Sequence, residues 1–235
     1  MSLRSNINKL LRPYGYVIEK IDRFMEALVY EYDNSKDFCF VQIGANDGIK
    51  FDDLYHFIAA RDCRGLVVEP IKYYYEILKT NYGKFPNIIP VNRAIHKTEK
   101  RATIHYVDPE KLPSLPIWAQ GIGSFDSEHY KNSNTPQEVM ISEEVDCVEL
   151  MALINEHGFN EIHLLQIDTE GYDGEVIKMI DFNAIVPRVI RYEHGILEET
   201  ERQEVEDILL RQNYALFEER NNTIAIQNST LKHIS

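Results

Sequence analysis

Phe38-Cys39-Phe40-Val41-Gln42-Ile43-Gly44-Ala45-Asn46-Asp47-Gly48 is an apolar run that breaks into a glycine turn, and Leu66-Val67-Val68-Glu69-Pro70 follows one helix-length later. The first segment reads as a buried strand entering a tight turn, the second as a strand ending in a carboxylate. Gly44, Ala45 and Gly48 are small enough for a ligand to approach the backbone, and glycine takes the positive φ that such turns demand. Glu69, at the tip of the second strand, can accept hydrogen bonds from both hydroxyls of a ribose. Together the two segments predict a nucleoside site at the edge of an α/β sheet.

The turn excludes two common nucleotide motifs. G-x-x-x-G over 44–48 lacks the middle glycine of the dinucleotide fingerprint, and the chain has no G-x-x-x-x-G-K-[ST] phosphate loop. Asp47 within the turn would repel a pyrophosphate but tolerate a cationic, phosphate-free nucleoside. S-adenosylmethionine, with its sulfonium, free amino group and ribose diol, has those properties.

Apolar periodicity extends the α/β pattern through the chain. Strands are expected at 38–43, 65–69 and 87–91, with helices at 51–60 and 73–82 between them. A strand is read at 103–107, a helix at 146–157, a strand at 161–167 ending at Asp168, a helix at 172–180 and a strand at 188–192. A strongly amphipathic helix at 200–212 precedes a closing antiparallel hairpin, 214–218 with 223–227. Alternation of this kind implies parallel pairing with helices on both faces. Residues 108–137 show no periodicity and are rich in Pro, Gly, Ser and Asn, which reads as an insertion covering an active site. Residues 1–35 read as an N-terminal helical extension, with Ile18, Ile21, Phe24, Met25, Leu28 and Val29 on one face. That face could cover the sheet or mediate homo-oligomer contacts. The remainder, 36–235, reads as one catalytic domain.

The quoted segments, with Asn92-Arg93-Ala94-Ile95 and above all Gln166-Ile167-Asp168-Thr169-Glu170-Gly171-Tyr172-Asp173, resemble the FkbM family of S-adenosylmethionine-dependent methyltransferases. The resemblance runs in order from Phe38 to Gln227. It implies a Rossmann-like seven-stranded methyltransferase sheet, mostly parallel with its last strand antiparallel, and methyl transfer to oxygen, often on sugars or glycosylated natural products. It also implies that Gly44, Ala45, Asn46 and Gly48 wrap the methionine portion, Glu69 holds the ribose and Pro70 shapes the edge of the adenine site. Asn92, Arg93 and Ala94 would then flank the adenine, and Gly123-Ser124-Phe125 matches a small segment near the active site. Family members commonly carry an acidic residue where this chain has Gln42. The contact to the amino-acid end of the cofactor is therefore expected at Asp47 or the backbone.

Composition narrows the function further. The 235 residues are 44% hydrophobic and 27% charged, ordinary values for a globular protein. A net charge of −13 argues against a nucleic-acid binder, and Lys97, Lys100 and Arg101 read as solvated surface. No apolar run reaches the ~18 residues needed for a membrane span. The first residues lack the apolar core of a secretory signal, so a cytoplasmic location is expected. Cys39, Cys63 and Cys147 have neither C-x-x-C spacing nor an even count, which predicts reduced thiols and no zinc site.

Methyl transfer to a hydroxyl is an in-line displacement that also needs a base for the departing proton. Asp168, Glu170 and His194 are the candidates, with Asp168 also a cofactor or substrate anchor and His194 favoured by its unperturbed pKa near 6.5. Asp168, Glu170 and Glu193 are oxygen donors that could hold a divalent cation, although a metal is not predicted. The other histidines, His129 and His163 among them, read as surface or turn residues. The leading expectation is a carbohydrate O-methyltransferase yielding S-adenosylhomocysteine. Its alternatives are an N-methyltransferase acting on an amino sugar or small amide, and a non-catalytic cofactor-binding subunit.

Overall fold

The structure is a computed structural model that describes residues 22–50, 52, 54–131 and 134–234. Helix α1 (Arg23–Asn34) opens the described chain, its first turn capped by the Asp22 carboxylate, which accepts from the Met25 N–H. The earlier part of the expected N-terminal extension, including Ile18 and Ile21, lies outside the described residues. There follow β1 (Cys39–Ile43), α2 (Leu54–Ala59), β2 (Arg64–Val68), α3 (Lys72–Tyr82), β3 (Ile88–Val91), β4 (Ala94–Ile95) and β5 (Arg101–Val107). The second half contains β6 (Gly123–Ser124), β7 (Met140–Val148), α4 (Leu150–Glu156), β8 (Leu164–Ile167), α5 (Asp173–Lys178), β9 (Val189–Glu193), α6 (Glu199–Arg211), β10 (Tyr214–Glu219), β11 (Asn222–Gln227) and α7 (Asn228–Leu231).

Seven strands form one sheet in the order β10-β11-β9-β8-β1-β2-β3. β1, β2, β3, β8 and β9 pair in parallel, and β11 is antiparallel to both β9 and β10. The last strand is therefore inserted antiparallel, as the family resemblance implied. Both faces are covered. Val41, Ile43, Leu66, Val68, Leu165 and Ile167 pack with Leu153, Ile177 and Val205 of α4, α5 and α6. Phe38, Phe40, Val67 and Leu164 pack with Phe24, Leu28, Leu54, Phe57 and Leu78 of α1, α2 and α3. Strands buried on both sides read as continuous apolar runs, which is why β1 and β2 were recognisable. The chain moves outward from β1 to β3 and returns to β8 on the other side of β1. That reversal opens a crevice at the carboxyl ends of β1 and β8, where open α/β sheets bind ligands.

A second sheet, ordered β4-β7-β5-β6, stands over this edge. Its long strand β7 corrects the sequence expectation, which began a helix at residue 146; the helix starts at Leu150, where the Glu149 carboxylate accepts from the Ala152 N–H. β7 is largely solvent-facing and carries Ser142-Glu143-Glu144, so it lacks the alternation that marks a half-buried strand. Pairing with β5 over Arg101–Val107 holds it in place instead. The 108–137 insertion leaves β5, forms short 3-10 turns and β6, and closes on its own small apolar cluster of Val107, Ala119 and Ile122.

Lys97 pairs with Glu175 at 2.6 Å, and Arg101 pairs with Glu144 and Asp146, so these cations form no basic stripe. Among the described residues no helix is long and apolar enough to cross a membrane.

Candidate active site

The turn after β1 is locked at its first residue. Gly44 has φ +78°, and its N–H and that of Ala45 both donate to the Val68 carbonyl at 3.0 Å. A Cβ on Gly44 would fall 1.7 Å from the Asp168 carbonyl oxygen, so only glycine lets the ends of β1 and β8 meet here. Asp47 then folds inward. Its Oδ1 accepts from the N–H groups of Ile49 and Lys50 at 3.0 and 2.8 Å, and Oδ2 accepts from Gln120 Nε2 at 2.7 Å.

Glu69 is 3% exposed and held by two backbone donors, Asn46 N–H to Oε2 and Ile71 N–H to Oε1, both at 2.8 Å. Burial pushes its pKa up to about 7, against the opposing pull of those two N–H groups. Asn92 Nδ2 donates to the Glu69 and Pro70 carbonyls at 2.9 and 2.8 Å, bracing the strand tip from behind. Arg93 is forked onto Glu156.

Between these elements lies a cavity of about 260 Å³. Gln42, Gly44, Ala45, Asn46, Glu69, Pro70, Arg93, Ala94, Gln166, Asp168 and Glu170 contribute to its wall. The second sheet and insertion close it with Ile104, Trp118, Gly121, Gly123 and Phe125.

One end of the cavity is acidic. Asp168, Glu170 and Glu193 each offer an oxygen within 4.8 Å of the others. Asp168 is an exposed residue of the cavity wall. Desolvation, followed by the charges of Glu170, Asp173 and Glu193, holds its pKa well above the usual carboxylate range. Glu193 is pushed up to about 7, first by burial and then by Glu170 and Asp173. Buried Asp173 ties the loop together, accepting from the Thr169 N–H and hydroxyl and from the Glu193 N–H. Glu170 sits at φ +52°, a conformation that costs a non-glycine residue energy and is sustained here by contacts from the insertion. Ser124 Oγ donates to the Glu170 carbonyl at 2.8 Å, and His129 Nε2 lies 2.9 Å from Glu170 Oε2. That hydrogen bond to Glu170 raises the His129 pKa.

The family model for the methyltransferase FkbM domain matches residues 42–217, most of the chain. The chain belongs to the FkbM methyltransferase family. Among curated proteins no sequence matches it. Solved structures give distant likenesses. Human methyltransferase 10 domain containing protein is 13% identical, with 96% of this chain and 94% of that chain covered and a TM-score of 0.42. The N-terminal domain of human METTL16, in complex with SAH, is 13% identical over 95% and 79% of the two chains, at a TM-score of 0.43. Precorrin-6y C5,15-methyltransferase from Geobacter metallireducens is 14% identical over 91% and 93%, at 0.38.

In this FkbM chain the sequence candidates divide. Gly44, Ala45, Asn46, Glu69, Pro70, Arg93, Ala94, Asp168 and Glu170 reach the cavity, whereas Asp47, Gly48, Asn92 and Ser124 stand behind its wall. A Cβ on Gly48 would collide with Leu78 and Tyr82 rather than with a ligand. Asp47 spends its carboxylate on closing the turn, so it does not offer the contact expected of it.

His194 is also placed otherwise than expected. Its Nδ1 pairs with Thr223 Oγ1 at 2.8 Å, and the charges near it are those of Arg202, Glu206 and Glu218. Burial lowers its pKa. The reason is the two-residue period of a strand. Gln166 is in register with Arg191 and Ile167 with Tyr192, so the next position brings Glu193, not His194, to the side of Asp168. The histidine near the acidic end is His129, 5% exposed, which the sequence reading treated as a surface residue. Nothing local marks it, because its partner lies 41 positions away on another element.

Proposed function

We propose that this chain is an S-adenosylmethionine-dependent methyltransferase acting on a hydroxyl of a carbohydrate or glycosylated small molecule. The observation that carries the reading is Glu69, a buried carboxylate preset by two backbone N–H groups in the wall of a cavity whose other end is Asp168 and Glu170. Each Glu69 oxygen keeps a lone pair for a ribose hydroxyl. Gly44 leaves the backbone bare where the methionine portion would pass, and Arg93 and Ala94 border the adenine end. When bound, the cofactor supplies a methyl group already activated on a sulfonium.

The protein contributes position and a proton acceptor. Asp168 is the base in this reading, because it lines the cavity beside Glu170 and its raised pKa makes it a stronger proton acceptor than an ordinary carboxylate. Glu170, anchored by His129, orients the acceptor. Trp118 is 46% exposed at the cavity wall, and an indole face suits the C–H face of a sugar ring. Residues 36–235 form the methyltransferase domain, with 108–137 as its cover. The acidic end favours one second reading, N-methylation of an amino sugar, since a protonated amine would be drawn to Asp168 and Glu193.

Calorimetric titration with S-adenosylhomocysteine, followed by labelled methyl transfer over a panel of sugar and amino-sugar acceptors, tests the proposal. Product on hydroxyl acceptors is expected. Binding without turnover on any acceptor would leave a non-catalytic cofactor-binding subunit.

A further inference from the structure

Aromatic rings from the second sheet, the insertion and the loop after β8 meet at one point. Tyr172, the residue before α5, stacks on His96, just past β4, with ring centroids 5.2 Å apart and planes 15° from parallel. Phe125 of the insertion stands edge-on to both, 5.2 Å from Tyr172 and 5.5 Å from His96. These are the stacked and edge-to-face arrangements that aromatic quadrupoles favour. His96 is the fixed member. Its N–H donates to the Val148 carbonyl at 3.0 Å, and its Nδ1 accepts from the N–H groups of Thr98 and Glu99 at 3.3 and 3.0 Å. Phe125 contributes to the cavity wall, whereas His96 and Tyr172 stand outside it.

The loop that carries Asp168 and Glu170 needs such a support. Glu170 and Gly171 take consecutive positive φ values of +52° and +106°, and a glutamate stays in that region only where its surroundings hold it there. Ser124 and His129 of the insertion hold Glu170, and Asp173 ties the foot of the loop to Thr169 and Glu193. Tyr172 lies between those two anchors. It is the N-cap residue of α5, yet its side chain makes no capping hydrogen bond, so the helix start does not account for the ring.

We infer that Tyr172 is a positioning residue, clamped between His96 and Phe125 so that the left-handed turn at Glu170–Gly171 aims Asp168 and Glu170 at the acceptor. The inference rests on the proposed methyl-transfer reading and extends it, because docking of the insertion and alignment of the base become one event. When Phe125 withdraws with the insertion, Tyr172 keeps only its stack on His96 and the loop loses one of its holds. Since Tyr172 and His96 stand outside the cavity, their effect on rate passes through the loop. A misplacement of about 1 Å at a reacting group can cost about 10²-fold in rate.

The test compares Tyr172→Ala, Tyr172→Phe and His96→Ala with the wild-type chain, all with S-adenosylhomocysteine bound. Hydrogen exchange comes first, since it needs no acceptor and reports local opening. Tyr172→Ala and His96→Ala should speed exchange at 123–129 and 168–173 together while 39–43 stays as in wild type, and Tyr172→Phe, which keeps the ring, should restore the wild-type pattern. Calorimetric affinity for S-adenosylhomocysteine should stay within about twofold of wild type in all three. On an acceptor that the wild type methylates, kcat of Tyr172→Ala should fall by about 10²-fold with KM little changed, and Tyr172→Phe should keep most of the rate. If Tyr172→Ala fails to fold, Tyr172→Leu carries the same comparison with the ring removed and apolar volume kept. Exchange raised only at residue 172 or throughout the chain overturns the clamp, as does wild-type kcat in Tyr172→Ala or a Tyr172→Phe as impaired as Tyr172→Ala. A wild-type chain that binds S-adenosylhomocysteine but methylates no acceptor overturns the methyl-transfer reading instead, and the exchange pattern then decides the clamp alone.

Discussion

His129 Nε2 stands 2.9 Å from Glu170 Oε2, so the segment between β5 and β7 reaches across the crevice and grips the loop after β8. The same segment grips the opposite lip through Gln120. Its Nε2 donates to Asn46 Oδ1 and Asp47 Oδ2, and its carbonyl accepts from Asn46 Nδ2. The insertion is thus fastened to both the glycine turn and the acidic loop.

This double attachment predicts that ligand binding and ordering of the insertion are coupled. Hydrogen exchange should slow across 108–137 and 44–48 when S-adenosylhomocysteine is added. Gln120→Ala should raise exchange in both segments together. Equal exchange across the insertion with and without ligand would reduce it to a surface loop. The His129–Glu170 pair adds a pH dependence. A histidine whose pKa is raised on folding contributes stability that is present below its unfolded pKa of about 6.5 and lost as pH rises through the folded value. Exchange at 126–131 should therefore speed up from pH 6 to pH 9 by more than the intrinsic base catalysis of exchange, and His129→Gln should remove the excess.

Glu69→Ala is expected to weaken S-adenosylhomocysteine by at least about tenfold, because a charge-assisted hydrogen bond is worth about 1.5–3 kcal/mol. Since the Glu69 pKa lies at about 7, wild-type affinity should rise as pH passes upward through that value and the carboxylate ionises. Calorimetry at pH 6 and pH 8 measures both. Unchanged affinity in the variant would remove Glu69 from the ribose site.

The same carboxylates shape stability, with the opposite sense. Glu69 and Glu193 titrate at about 7 in the folded chain, against about 4.3 for an unfolded glutamate. Between these values the folded state binds more protons, so stability is greatest near the lower pH and falls as pH rises through about 7. Thermal melts at pH 5 and pH 8 should show a lower Tm at pH 8. Glu193→Gln should narrow that difference. A gap as wide as in wild type would mean that Glu193 does not titrate as placed.

Asp168→Asn and His194→Ala separate the two candidate bases. Loss of a general base costs about 10²- to 10⁴-fold in rate, and Asp168→Asn should show it while S-adenosylhomocysteine affinity is retained. His194→Ala should keep near-normal kcat and lose only the stability of its Thr223 contact, about 1 kcal/mol. Methyl-transfer rates with melting temperatures measure both. A collapse of kcat in His194→Ala with normal Tm would restore histidine as the base.

Much of this was legible in the one-dimensional chain, because its signals are local. Apolar runs long enough for strands buried on both faces marked β1, β2 and β8, and helical spacing marked α3 and α6. The Gly44 turn and the carboxylate at Glu69 were readable because strand tips in this topology converge on one edge. What the tertiary structure decided depends on which way side chains face and on partners far apart in sequence. Asp47 looked like a ligand contact until Gln120, 73 positions later, was found to occupy it. Strand alternation sent Glu193 rather than His194 toward Asp168. His129 acquired its place only because a segment without periodicity folds back onto Glu170, and β7 exists because β5 offers it a hydrogen-bonding edge. Periodicity records what each element buries, whereas the direction of a polar side chain is set by the neighbour that the fold brings to it.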